Sequence, residues 1–335
     1  MMDNVLGSQE LTTRQKLWQI HWFFILILTV IASIGFVMLY SAAGGSIDPW
    51  AKRHALRFFV GIMLMVVVAI IDIRVWLRYA YVIYLSIFLL LIAVDLVGAM
   101  GMGARRWINI GFFTLQPSEL MKIAIVLALA RYFHSGSIDD VRRPTFLLLP
   151  IFIVVIPAGF VFRQPDLGTS LILLVTAFGM FFAAGVRLWK FALFGVLGLA
   201  ALPFVWKNLH EYQQNRVLTF LSPESDPLGT GYHIIQSKIA FGSGGLTGRG
   251  FLQGTQGHLN FLPEMQTDFI FTMLSEELGL VGGLSLLSLY IILLVYGFAI
   301  ATRSRSHFGS LLAMGVTITF FLYVFVNMAM VMGLI

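Results

Sequence analysis

The sequence predicts an all-α protein, a bundle of helices that crosses a membrane about nine times. Hydrophobic residues make up 59% of the 335 residues and charged residues only 11%, whereas a soluble domain is nearer a quarter charged. Mean hydropathy is +0.88, and apolar runs of about 20 residues recur, each long enough to cross a bilayer core. A membrane β-barrel would show short segments of alternating polarity instead.

Nine apolar segments are predicted to span the membrane, and the eighth is long enough to tilt or to project beyond the lipid. A Gly-rich and partly amphipathic loop, residues 207–268, precedes the eighth span. We expect residues 1–18 to form a polar tail and residues 19–335 to form a single membrane-embedded domain. The predicted spans are 20–41, 56–73, 78–99, 118–134, 145–163, 168–186, 188–206, 269–301 and 308–335.

Lys and Arg in short loops indicate which side of the membrane holds the N-terminus. With the N-terminus inside, each side carries eleven of them. Four of the outer ones lie in the long loop, which this rule discounts, and Lys122 lies inside a helix, so the comparison becomes eleven against six. The N-terminus is therefore predicted to be cytoplasmic. The many outer cations also indicate an anionic ligand on that side.

Composition excludes several classes of function. The net charge of +6 is scattered through short loops, so nucleic acid is not an expected partner. The sequence has no cysteine, which excludes disulfides, thiol catalysis and thiolate metal sites. Its seven histidines are dispersed, without the spacing of a known metal motif.

The fourth span opens with a polar motif, QPSELMK at residues 116–122. Glu119 and Lys122 are three residues apart and share a helix face. Ionisable groups inside a membrane are costly and usually face a polar cavity. The two side chains form either a structural ion pair that holds two helices together or the charged base of a cavity that binds a polar headgroup.

Two further motifs lie near the predicted outer face. Asp166, in QPDLGTS at 164–170, is expected to cap the N-terminus of the sixth span, with contact to a ligand or cation as the alternative. Arg105 and Arg106 suit phosphate or carboxylate, and Asp95 is a candidate partner for one of them. Trp107 is either an interfacial aromatic residue or a platform for a sugar or lipid chain.

Of the four cations in the long loop, three are candidate ligands for an anionic group: Arg216, Lys238 and Arg249. Its glycine run at 242–250 lacks both a preceding strand and the Lys-Ser/Thr of a phosphate loop, so nucleotide binding is rejected. Flexible packing on the membrane surface is the default interpretation, and a backbone nest for a diphosphate is the alternative.

The most informative single residue is Asp268, where the long polar loop meets the eighth span. Thr267 is a candidate N-cap, which would place Asp268 in the first helical turn, where the helix dipole favours a carboxylate. Glu276 and Glu277 follow two turns later, as buried partners or as interfacial residues. A carboxylate at the N-terminal end of a membrane helix, next to the long loop, is a candidate catalytic group.

Taken together, these motifs resemble the RodA/FtsW family, the SEDS (shape, elongation, division and sporulation) proteins, and the chain looks closest to the elongation member. The resemblance runs from about residue 20 to the end. It rests on five motifs in order: GARRW at 103–107, QPSExxK at 116–122, QPDLGTS at 164–170, DPLGxGYHIIQSKIAxGSGG at 226–245 and LPExxTDFIF at 262–271.

The resemblance implies a peptidoglycan glycosyltransferase that polymerises lipid II and works with a class B penicillin-binding protein. It implies that Asp268 is the essential acidic residue of the large extracytoplasmic loop, and that Trp107, Glu119, Lys122 and Asp166 are functionally sensitive. Family members continue past the ninth span into a Pro- and Gly-rich segment and a tenth helix. We therefore expect a tenth helix that this chain, ending at Ile335, lacks.

The expected mechanism uses Asp268 as general base on the acceptor hydroxyl. The candidate residues for the diphosphate or headgroup are Lys122, Glu119, Arg105, Arg106, Trp107, Asp166, Arg216, Lys238 and Arg249. The sequence identifies no definite cofactor, and a divalent cation, Mg or Mn, is an alternative source of positive charge. Expected partners are lipid II, the penicillin-binding protein and other membrane proteins of an elongation complex in the inner membrane.

Two other functions suit the same sequence: a transporter or flippase for lipid-linked precursors, and a non-catalytic scaffold for a transpeptidase.

Overall fold

Long helices make up most of the structure, a computed structural model that describes residues 12–101, 104–109, 111, 114–209, 214, 215, 218, 230–255 and 265–333. The helices are α1 (Thr13–Trp18), α2 (Trp22–Ala42), α3 (Trp50–Ile70), α4 (Ile73–Val97), α5 (Pro117–Ser135), α6 (Ile138–Arg142), α7 (Leu148–Arg163), α8 (Leu167–Ala183), α9 (Leu188–Asn208), α10 (Thr230–Gly244), α11 (Ile270–Arg303) and α12 (His307–Val331).

Each predicted span corresponds to one of these helices, and the predicted all-α membrane fold is confirmed. Seven helical segments in the described part of the chain are long and apolar enough to cross a membrane. α8 is apolar but shorter. α5 is not among the seven; it carries Glu119, Lys122 and Arg131.

One local element was not predicted. A small three-stranded antiparallel sheet, β1 (Ala99–Gly101), β2 (Ala104–Asn109) and β3 (Thr114–Leu115), follows α4 and leads into α5. β2 pairs with both neighbours, so that Trp107 lies opposite Ala99 and Ile108 lies opposite Leu115. These strands are too short to show an alternating pattern in the sequence. The sheet holds the segment with Arg106 and Trp107 beside the start of α5.

The described chain divides into two compact units. The first comprises Met1–Val75 and Ile239–Leu289, and the second comprises Trp76–Lys238 and Tyr290–Ile335. The single membrane-embedded domain expected for residues 19–335 stays a prediction.

α5 forms the centre of the second unit. It contacts α7, α8 and α12, and its apolar side chains from Met121 to Ala130 are buried apart from Ile123. Hydroxyl groups add to this core: the Ser170 hydroxyl donates to the Ala158 carbonyl at 2.9 Å, and Tyr84 donates to the Ile153 carbonyl at 2.9 Å. The core therefore fixes the position of the polar first turns of α5.

In the first unit, α2 packs against α3, and Lys16 of α1 donates to the Ile70 carbonyl at the end of α3 at 3.0 Å. α11 is broken in this unit at Gly279, where φ is 66° and ψ is −163°. The segment that follows the break runs about 36 Å to Arg303, at a rise of ~1.5 Å per residue. The 34 residues of α11 are more than one membrane crossing needs. The break divides them into a short segment before Gly279 and a longer segment after it, which is long enough to cross the bilayer alone.

Candidate active site

Glu119 and Lys122 form an ion pair in the first turns of α5, on the shared helix face that their spacing predicted. Lys122 Nζ lies 2.8 Å from Glu119 Oε1. Tyr323 of α12 completes the cluster, because its hydroxyl donates to Glu119 Oε2 at 2.5 Å and its ring lies 4.1 Å from Lys122 Nζ. Lys122 is 2% exposed, whereas the side chain of Glu119 is 46% exposed. The cluster therefore places a buried ammonium beside a carboxylate that solvent can reach.

Asp166 caps α8, as predicted: its Oδ1 accepts from the Thr169 backbone N–H at 3.2 Å. Its other oxygen accepts from Gln116 Nε2 at 3.3 Å, and Gln116 also donates to the Ser118 hydroxyl at 3.0 Å. Gln116 is the N-cap residue of α5. One amide therefore joins the N-terminal ends of α5 and α8.

Arg106 fixes β2 to the turn that precedes α8. Its Nε donates to the Gln164 carbonyl at 2.9 Å, and its guanidinium also donates to the Pro165 carbonyl. Gln164 in turn donates to Asp95 Oδ1 at 2.9 Å and to the Leu91 carbonyl at 3.0 Å. Asp95 is thus connected to Arg106 through Gln164. The neighbouring Trp107 is 41% exposed, which leaves part of its ring available to a sugar or lipid.

Asp268 lies in the turn Met265–Phe269 and is exposed. α11 begins at Ile270, so the expectation that Thr267 caps the helix and that Asp268 lies in its first turn is wrong by about two residues. Asp268 belongs to the first unit. The residue lies just ahead of the N-terminal end of α11.

Glu276 and Glu277 are fully buried, which decides between the two alternatives left by the sequence. Glu276 Oε1 accepts from the Thr255 backbone N–H at 2.8 Å and from its hydroxyl at 3.1 Å. Glu277 Oε1 accepts from the Ser41 hydroxyl at 2.5 Å, and Oε2 accepts from the Leu252 N–H at 3.3 Å. The two carboxylates therefore hold the segment after α10, and α2, against α11.

The cations of the long loop have different environments. Lys238 is exposed on α10. Arg249 is exposed and donates to the Thr255 hydroxyl at 2.8 Å and to the Ser243 carbonyl at 3.4 Å. Arg216 lies outside the described residues, and of Arg105 the structure describes only its backbone in β2.

The glycine run packs closely against α11. A Cβ atom on Gly248 would lie 2.1 Å from the Glu277 carbonyl oxygen, and one on Gly279 would lie 2.3 Å from the Gly248 nitrogen. These glycines allow two backbones to approach each other. This close packing differs from the flexible surface packing expected by default from the sequence.

A divalent cation finds little support here. In the described ranges, no group of three or more His, Asp or Glu side chains could hold a metal ion. The described residues thus offer no multidentate carboxylate site, and we derive no catalytic step through a metal.

Sequence reasoning missed three residues that the structure ties to the predicted groups: Tyr323, Ser41 and Gln116. Tyr323 is a lone tyrosine in an apolar helix, and Ser41 lies 236 positions from its partner Glu277. No local pattern could have revealed either contact. Gln116 stands in the QPSE motif, and the proline that follows it marks the start of the helix, so its position at the helix end could have been recognised.

The fold defines a multi-pass helical membrane protein, with charged groups at the start of α5 in the second unit and at the start of α11 in the first. A family model described as cell cycle protein, for the FtsW, RodA and SpoVE proteins, matches residues 21–335. The chain belongs to that family, and the resemblance predicted from its motifs is confirmed.

Individual relatives agree with this assignment. The chain is 44% identical to the peptidoglycan glycosyltransferase MrdB of Escherichia coli (strain K12) over 93% of its own length and 84% of the relative. It is similar to a chain in a structure described as "Structural coordination of polymerization and crosslinking by a peptidoglycan synthase complex", with a TM-score of 0.79, 32% identity and coverage of 93% and 87% of the two chains. The rod shape determining protein RodA of Thermus thermophilus gives a TM-score of 0.65, 27% identity and coverage of 92% and 84%.

Proposed function

We propose that this chain is a peptidoglycan glycosyltransferase that polymerises lipid II into glycan strands during cell elongation and rod-shape maintenance. The observation that carries the proposal is its 44% identity, over 93% of the chain, to a relative named for that activity. The buried ammonium of Lys122 beside an accessible carboxylate supports it, because a lipid-linked diphosphate needs positive charge near the membrane.

Asp268 is the proposed general base. Its carboxylate takes the proton from the sugar hydroxyl of the acceptor as that oxygen attacks the anomeric carbon of the donor. The bond from that carbon to the diphosphate breaks, the electron pair leaves with the undecaprenyl diphosphate, and configuration at the carbon inverts. The exposure of Asp268 in a turn ahead of α11 supports this role, because both substrates arrive from outside the helix bundle.

The departing diphosphate gains negative charge in this step and needs nearby cations. We assign this role first to Lys122, with Arg105, Arg106, Arg216, Lys238 and Arg249 as further candidates. Glu119 and Asp166 position the polar groups around Lys122 and the start of α8, and Trp107 offers a flat surface to a sugar or lipid. Mg or Mn stays an alternative source of charge.

The proposed setting is the bacterial inner membrane, with the N-terminus in the cytoplasm and Asp268 on the outer side. The imbalance of Lys and Arg in the short loops supports this orientation. A class B penicillin-binding protein is the proposed partner for crosslinking, within an elongation complex. The similarity to a chain of a polymerising and crosslinking complex supports such a partnership.

Replacing the proposed base tests the function directly. Asp268→Asn should lower the rate of lipid II polymerisation by roughly 100- to 10,000-fold, because a neutral amide cannot accept the proton. Polymer made from labelled lipid II by the purified chain and its crosslinking partner, separated on a gel, gives the rate. Asp48→Asn is the matched control, since Asp48 is exposed and its pairing with Lys52 is a surface ion pair of 3.8 Å.

The outcomes separate the three functions that the sequence allows. Polymer from the wild type and the control, with none from Asp268→Asn, supports the proposed enzyme. Translocation of labelled lipid across vesicles without polymer from any variant would indicate a transporter. Full polymerisation by Asp268→Asn would remove this residue from the mechanism, and an inert wild type that still stimulates its transpeptidase partner would indicate a scaffold.

A further inference from the structure

We propose that Tyr323 is a positioning residue for the reaction, which holds the ammonium of Lys122 in the orientation that receives the diphosphate. This inference rests on the proposed function. Tyr323 lies on α12, distant in sequence from the five motifs that carry the family resemblance. Its hydroxyl and its ring have separate tasks.

The first observation is that Tyr323 contacts both members of the ion pair. Its hydroxyl donates to Glu119 Oε2 at 2.5 Å, while Lys122 donates to the other carboxylate oxygen of Glu119 at 2.8 Å. The ring of Tyr323 lies 4.1 Å from Lys122 Nζ, within the range of a cation–π contact. The three side chains therefore form a closed triangle of contacts.

The second observation is the burial of Lys122, which is 2% exposed. A lysine side chain has a flexible stem of four carbons and normally extends its charge toward water. Here the carboxylate and the aromatic face hold the ammonium inside the protein, where an unpaired charge would be costly. An ammonium carries three N–H donors, so these two contacts direct the charge without using every donor.

The third observation is that the two contacts come from different parts of Tyr323. The hydroxyl fixes the carboxylate of Glu119, and without it that half-exposed side chain could rotate toward solvent. The ring covers Lys122 directly. Phenylalanine would keep the ring and lose the hydroxyl, whereas leucine would lose both, so these two substitutions separate the tasks.

Kinetics give the first test. Tyr323→Phe should lower kcat by about tenfold and Tyr323→Leu by about 100-fold, with less than a threefold change in KM for lipid II, because the diphosphate gains its charge in the transition state. Phe325→Leu is the matched control: Phe325 lies on the same helix, is 49% exposed and stacks on Phe321. It should keep both constants within about twofold of wild type.

Chemical labelling gives a second test that does not depend on activity. Reductive methylation with formaldehyde, followed by peptide mass spectrometry, reports how accessible each lysine is. Lys122 should be protected in the wild type, largely protected in Tyr323→Phe, and modified about tenfold faster in Tyr323→Leu, because the stem is then free to extend toward water. Lys52, whose side chain is 72% exposed, is the internal standard and should react equally in all variants.

The outcomes are distinct. The proposal is supported if kcat falls more in Tyr323→Leu than in Tyr323→Phe and if Lys122 becomes accessible to the reagent in Tyr323→Leu. Wild-type kcat in Tyr323→Leu, or equal protection of Lys122 in the leucine variant and the wild type, overturns it. If the wild type makes no polymer, the proposed function fails, while the labelling pattern still decides whether Tyr323 holds Lys122.

Discussion

Lys122 and Glu119 differ sharply in exposure although they form one ion pair. The side chain of Lys122 is 2% exposed and that of Glu119 is 46% exposed. Loss of the carboxylate would leave a buried ammonium with only the aromatic ring of Tyr323 as compensation. Loss of the ammonium would leave a carboxylate that water and the Tyr323 hydroxyl can still solvate. We therefore expect Glu119 to contribute more to the stability of the fold and Lys122 to contribute more to the reaction.

We expect Glu119→Gln to lower the free energy of unfolding by about 1–2 kcal/mol more than Lys122→Met does, because only the first change leaves a buried charge without its partner. Lys122→Met should nevertheless abolish polymerisation. Thermal unfolding in detergent and the polymer assay measure the two effects.

A second ion pair with the same three-residue spacing provides the control. Arg142 and Asp139 of α6 lie 3.3 Å apart, with side-chain exposures of 51% and 81%. Asp139→Asn should change the free energy of unfolding by less than about 0.5 kcal/mol. Equal losses of stability from Glu119→Gln and Lys122→Met would contradict the asymmetry.

Among the elements, α11 is distinguished by its break. In an unbroken helix, the carbonyls of Glu276 and Glu277 would accept from the amides of Leu280 and Val281. Here those carbonyls accept from the amides of Arg249 and Gly250, each at 3.0 Å. The freed amides donate to the carbonyls of Gly245 and Leu246, at 3.0 and 3.2 Å. The segment 245–250 thus inserts into the hydrogen-bond ladder of α11.

Gly279→Ala should destabilise the protein by roughly 2–4 kcal/mol, since alanine strains a backbone conformation that is essentially restricted to glycine. Its Cβ atom would also lie 2.3 Å from the Gly248 nitrogen and 2.5 Å from the Leu246 carbonyl oxygen. Thermal unfolding in detergent measures the loss.

Gly61→Ala in α3 is the matched control. A Cβ atom at Gly61 meets nothing within 4 Å, and alanine favours a helix over glycine by about 1 kcal/mol. Gly61→Ala should therefore be neutral or stabilising. A neutral Gly279→Ala would show that the helix can close and that the insertion contributes little.

For the whole molecule, the absence of cysteine makes the orientation in the membrane directly measurable. Thr267→Cys, next to Asp268, should react with a membrane-impermeant maleimide in spheroplasts, because residue 267 is exposed and the proposed base faces outward. Asp139→Cys, in the exposed first turn of α6, should react only after permeabilisation.

The unmodified chain supplies the background, since it carries no thiol. The reverse pattern, with residue 139 labelled from outside and residue 267 protected, would place Asp268 on the cytoplasmic side. A substrate presented on the outer face could not then reach it, and the proposed mechanism would fail.

Much of the fold could be predicted because hydrophobic length is a local property. Each apolar run fixes one membrane helix, and the polar motifs that interrupt the runs mark the helix starts near Glu119, Asp166 and Asp268. The pairing of Glu119 with Lys122 and the cap formed by Asp166 were also predictable, since both depend on spacing within one helix.

Contacts between distant segments were not predictable from the single sequence. Tyr323 meets Glu119 across 204 positions, and Ser41 meets Glu277 across 236. The break at Gly279 depends on a loop that supplies substitute hydrogen bonds, so the apolar pattern of α11 gives no sign of it. The small sheet was missed for a different reason, because its strands are shorter than any periodic signal.

The insertion of residues 245–250 into α11 limits how this protein can move. Withdrawing that segment would break four hydrogen bonds, two of which end on the carbonyls of the fully buried Glu276 and Glu277. If α11 did not close on itself, each of the two buried carbonyls would be left unsatisfied at a cost of about 1–3 kcal/mol. The segment 245–250 is therefore expected to stay packed against α11 while substrates bind. If Asp268 is the base, as proposed, a lipid-linked substrate would reach it through movement of other segments.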